Sequence, residues 1–138
     1  MAPAAPTEGE KATARQNTKR LVDSLASGVD QLNTVLASIQ KRNFQEAREA
    51  AETAQAAVIG SAGLLMDVGT QPNFRELYQA TAKCRDLHGQ LLAKAVDMIT
   101  QYEKSDFDSY QKSAAEFERL AKEFNRTKQQ VNDLLAHL

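Results

Sequence analysis

Apolar residues recur three and four positions apart along most of this chain. Leu21, Leu25, Gly28, Leu32, Val35 and Ile39 form one such run, widened by Val22, Val29 and Leu36. A second run holds Phe44, Ala47, Ala51, Ala54, Val58 and Leu65. A third passes through Phe74, Leu77, Thr81, Cys84, His88, Leu91, Ala95, Met98 and Tyr102. The fourth runs from Phe107 and Tyr110 through Phe117, Phe124 and Val131 to Leu135 and Leu138, with Lys128 on the same stripe. This period places one apolar stripe on each of four helices. No segment alternates apolar and polar residues with β-branched enrichment, so no sheet is predicted.

The breaks between the runs share a form. Asn43-Phe44-Gln45-Glu46 and Asn73-Phe74-Arg75-Glu76 both read Asn-Phe-x-Glu, and Asp106-Phe107-Asp108 is a variant. Asn and Asp side chains accept from the free N–H groups of a first helical turn, and a Glu three residues later completes a capping box. Helix starts are therefore expected near 44, 74 and 107, with an earlier helix starting between Lys11 and Gln16. The junctions after Lys41 and Lys104 are tight, which forces antiparallel neighbours. Gly69 and Pro72 mark the one longer loop, Asp67 to Asn73. The predicted fold is all-α: an antiparallel up-and-down four-helix bundle built from two helical hairpins, 12–66 and 74–138. Residues 1–11, rich in Ala, Pro and acid, are expected to be a flexible leader before a single domain, 12–138. Phe44 and Phe107 lie 63 residues apart, but identities outside the turn are poor, so the likeness reads as a shared turn solution and not a duplication.

The second helix is small on its inner face, with Ala47, Ala50, Ala51, Ala54 and Ala57, while the large aromatics sit mainly on the fourth. Small against large fills a bundle interior. The 138 residues suffice for one core. With 17 Lys and Arg against 18 Asp and Glu, the charge balance speaks against nucleic-acid binding through bulk positive charge. The longest apolar run, Ala56 to Met66, is too short to span a bilayer of about 20 helical residues. Met1 to Glu10 lacks the pattern of an export signal, and the single cysteine forms no disulfide within the chain, so a cytoplasmic location is expected.

Candidate chemistry is sparse. Cys84 and His88 are four residues apart on one helix face, and an antiparallel hairpin turning near 105 sets Glu123 opposite His88. Cys84, His88 and Glu123 are thus the weak candidates for a three-ligand metal site, against the plainer reading of a packed histidine and cysteine. Gly89-Gln90-Leu91-Leu92 after His88 does not resemble the His-x-x-Lys-Gly of phosphotransfer bundles. No phosphate-cradling glycine loop and no nucleophilic triad is legible, and no cofactor is expected. Arg85, Lys94, Arg119 and Lys122 read as a solvated charged face.

Excess apolar character lies elsewhere. Val58, Ile59, Leu64, Leu65, Met66 and Val68 cover more than one face of the second helix, around Gly60 and Gly63. Ile59, Leu64, Leu65, Met66 and Val68 are therefore the candidate docking residues for a partner helix or for self-association, including a homodimer. The functional expectation is a non-enzymatic interaction module (adaptor, assembly factor or chaperone). The alternative is a small-molecule- or metal-binding bundle, including a small all-helical enzyme.

Overall fold

The computed structural model describes residues 5–69 and 74–138, with side chains at 67–69 left out of the description. Every regular element among them is helical: α1 Glu8–Gln40, α2 Phe44–Gly60, α3 Ala62–Gly69, α4 Arg75–Glu103 and α5 Phe107–Ala136. The chain is an all-α four-helix bundle in which α1 pairs with α2, and α4 with α5, as hairpins.

The first helix starts earlier than the apolar pattern indicates, at Glu8 and not between Lys11 and Gln16. The Glu10 N–H donates to Thr7 Oγ1 at 3.1 Å, and the Thr7 N–H donates to Glu10 Oε1 at 3.2 Å. That reciprocal capping box starts α1 at Glu8. The second helix, expected to run unbroken to Met66, is interrupted at Ser61. Its hydroxyl turns back to donate to Val58 O at 2.7 Å, the local competition that Ser offers to helical bonding. Arg85 on α4 fixes the break: its Nε donates to Ser61 Oγ at 2.9 Å and to Val58 O at 3.2 Å. Asn73, the expected cap of α4, lies outside the described residues, and Phe74 precedes the helix without a side-chain cap bond.

The two hairpin turns are the same object. Arg42 and Ser105 occupy the left-handed region at φ 58° and 59°. The Arg42 N–H donates to Ile39 O and the Asn43 N–H to Ser38 O, both at 2.9 Å. At the other turn, the Ser105 N–H donates to Tyr102 O at 3.0 Å and the Asp106 N–H to Gln101 O at 2.8 Å. These are paired Schellman closures, each followed at once by an Asn or Asp cap.

The correspondence continues into the core. Ala14, Thr18, Leu21, Leu25, Gly28, Leu32 and Val35 of α1 are buried, and so are the α4 residues 63 positions on: Leu77, Thr81, Cys84, His88, Leu91, Ala95 and Met98. Two hairpins with identical turns must present the same helical phase to a shared interior, whatever residues fill it. Side-chain size then breaks the equivalence. Ala47, Ala50, Ala51 and Ala54 let α2 lie close to both α1 and α4. Their counterparts on α5 are Tyr110, Ser113, Ala114 and Phe117, and α5 packs on α4 while standing off α1. A groove of about 460 Å³ remains there, over Leu36, Met98 and Phe117, closed at one end where Gln40 Nε2 donates to Tyr110 Oη at 3.1 Å.

Both turns lie at one end of the bundle, under an aromatic cap. The Tyr102 ring has its centroid 5.0 Å from Tyr110, 5.3 Å from Phe107 and 6.2 Å from Phe44. The Arg42 guanidinium stacks over Tyr102 at 5.6 Å, a contact worth about 0.5–1 kcal/mol at an exposed site.

Candidate functional site

Cys84 and His88 sit one turn apart on α4, and both are wholly buried. The expected opposition to Glu123 is off by one residue. Phe124 faces the imidazole edge-on, with centroids 6.4 Å apart. Glu123 instead turns outward to Lys83 Nζ at 3.5 Å and Arg119 at 3.3 Å. Among the described residues, no three His, Cys, Asp or Glu side chains converge as a metal site, so the Cys84–His88–Glu123 grouping is not assembled.

The chemistry of this pair follows from its dry setting. Neither ring nitrogen of His88 has a hydrogen-bond partner among the described residues. Burial holds its pKa down at about 4. Burial likewise pushes the Cys84 thiol up to about 11, only partly opposed by Lys128 and Lys83. At neutral pH the ring is uncharged and the sulfur protonated. A thiolate nucleophile needs the opposite surroundings, electropositive and partly exposed. Gly28 on α1 is pressed against the same ring, so that a Cβ there would overlap the imidazole. His88 and Cys84 are core residues.

The residues expected to dock a partner separate into two groups. Ile59 is 66% exposed and Met66 is 70% exposed, whereas Leu64 and Leu65 are half-buried against the core. The side chain of Val68 lies outside the described residues. Gly60 and Gly63 also face open space: a Cβ at either meets nothing within 4 Å. Each helical glycine costs about 1 kcal/mol relative to alanine, and no packing among the described residues requires either one.

Beside this patch runs a groove of about 400 Å³ between α2 and α4. Ala51, Leu92 and Ile99 form its apolar floor, and Glu52, Gln55, Val96 and Thr100 line it as well. Its upper end is closed by Arg48, which donates to both Glu103 oxygens at 3.0 and 2.8 Å. That pairing holds the Glu103 carboxyl below the usual carboxylate range. Val96, 45% exposed, escaped the sequence reading because it lies off the core stripe. A β-branched apolar residue directly before Asp97 was the available signal. Of the charged residues singled out from sequence, Arg85 acts structurally under Ser61, and Arg119 forms a surface network with Glu116 and Glu123. Lys122 pairs with Glu118 at 3.4 Å.

Among the described residues, no helix is long and apolar enough to cross a membrane. No protein-family model matches this chain, and neither a curated protein nor a solved structure matches it.

Proposed function

We propose that this chain is a non-enzymatic protein-interaction module, an adaptor, assembly factor or chaperone of the cytoplasm, that docks a partner through the outer face of α2 and α3. One observation carries the reading. Ile59 and Met66 stand in solvent beside two helical glycines that no contact among the described residues explains. Exposed apolar side chains flanking glycines allow another backbone to approach closely, and apolar patches of this kind mark interfaces. The buried free thiol of Cys84 fits a reducing compartment.

Site-specific photocrosslinking tests the proposal. A benzophenone side chain at Ile59, compared with one at the exposed Gln129 on α5, is expected to give discrete adducts from native lysate only at Ile59. Unlabelled wild-type protein should compete, and the Ile59→Asp/Met66→Asp variant should not. Adducts with the chain itself would register self-association. Equal labelling from the two positions, or equal competition by the variant, overturns the proposal. A charge at Leu64 is a poorer probe, because that side chain also packs on the core.

A further inference from the structure

The α2–α4 groove and the exposed residues beyond it form one strip. Glu52, Gln55 and Ile59 follow by three and four along α2, and Met66 lies seven beyond Ile59. Such spacings keep one side of a helix. Ser61 retains right-handed helical backbone at φ −80° and ψ −14°, so the phase carries from α2 into α3. Val96 faces this line from α4.

The charge beside the strip is acidic. Glu49 and Glu52 on α2, and Asp86 and Asp97 on α4, are exposed. None of the four joins an ion pair among the described residues. The nearby cations are otherwise engaged or distant: Arg48 is held in two bonds by Glu103, Arg85 is turned under α2, and Lys104 stands at the turn end.

From this arrangement we infer that the strip seats a cationic amphipathic helix of another protein, with large apolar residues on one face and Lys or Arg flanking them. The inference rests on the interaction reading above and specifies its partner. Among its described residues, a second copy of this chain lacks the complement. Groove against groove sets acid against acid. The basic side of α1, with Arg15, Lys19 and Arg20, exposes no large apolar side chain, Tyr78 is a single exposed ring near the start of α4, and Phe107 belongs to the aromatic cap at the turns and not to an extended helical face. A helix bearing Leu and Lys matches both the floor and the rim.

The experiment is fluorescence anisotropy with two labelled synthetic helices of about 14 residues, roughly 21 Å long. One carries Leu and Lys; the other has the same Leu positions with Glu for Lys. The full chain is expected to bind the Lys peptide saturably, at least about tenfold more tightly than the Glu peptide. Glu52→Lys/Asp97→Lys should abolish that preference, and Val96→Asn should weaken Lys-peptide binding about fivefold, with dichroism confirming unchanged helix content. Binding of neither peptide, equal binding of both, or a preference that survives the charge reversal overturns the inference. An undiminished affinity in Val96→Asn does so too, since it leaves only diffuse attraction. The crosslink at Ile59 is independent of peptide charge, so failure here leaves the interaction reading standing.

Discussion

Gly28 of α1 and His88 of α4 share one space. A Cβ on Gly28 would overlap the imidazole, with Nε2 nearest and Cε1 at 2.9 Å. Both residues are buried, and the Phe124 ring lies edge-on to the imidazole with centroids 6.4 Å apart. The missing side chain at 28 is what admits a ring at 88, and it fixes how closely α1 and α4 approach.

Gly28→Ala is therefore expected to destabilise the fold by about 1–3 kcal/mol, the usual cost of overpacking, despite alanine's better helix propensity. The cost should largely vanish in a His88→Ala background, where the new methyl enters vacated space. Urea unfolding of the two single variants and the double variant gives the coupling directly. Additive effects would mean the two residues do not meet.

The buried imidazole also sets an acid limit. Its folded pKa of about 4 lies below the unfolded value of roughly 6.5, so the unfolded chain takes up the proton first. The stability is present in full above pH about 6.5. It declines by about 3 kcal/mol as pH falls to about 4. His88→Leu should remove this component, and the wild-type-minus-variant difference isolates it from the carboxylates that titrate below. A difference independent of pH between 7 and 4 would contradict the buried, unpartnered ring.

Cys84, with its thiol pushed up to about 11 by burial, should resist thiol reagents in the native protein. Its modification rate is expected to follow global unfolding as denaturant rises. Rapid stoichiometric labelling in buffer would show that α4 opens without unfolding.

Ser105 holds a left-handed conformation that costs an L-residue about 1–2 kcal/mol and costs glycine little. Ser105→Gly should raise stability by about 1 kcal/mol. Arg42→Gly should gain less, because the guanidinium stacked on Phe44 and Tyr102 is lost with the strain. Thermal melts of the two variants test the ordering.

The proposed interaction surface is only partly legible in sequence. The excess of apolar residues from Val58 to Met66 marks the stretch in which Ile59 and Met66 stand exposed, because a helix that is apolar all round presents apolar residues on more than one face. Which members point outward depends on the side from which α4 meets this stretch, where Arg85 donates to Ser61, a contact between residues 24 positions apart. Val96 joins the strip only because α2 and α4 lie side by side, and no local pattern on α4 states that.

Periodicity and capping, both local, were enough to specify four helical stripes, two tight turns and the absence of a sheet among the described residues, because side-chain direction on a helix repeats with a fixed angle. The capping box at Thr7 was local too and lay in plain view. Tertiary structure alone decided that His88 meets Phe124 and Gly28 and not Glu123, since one residue of helical rotation, about 100°, exchanges a carboxylate for a ring. It decided as well that α2 closes on α4 while α5 stands off α1: alanines permit the first approach, and Tyr110 and Phe117 hold the second apart. Spacing fixes which side of each rod is buried; volume fixes how near the rods come.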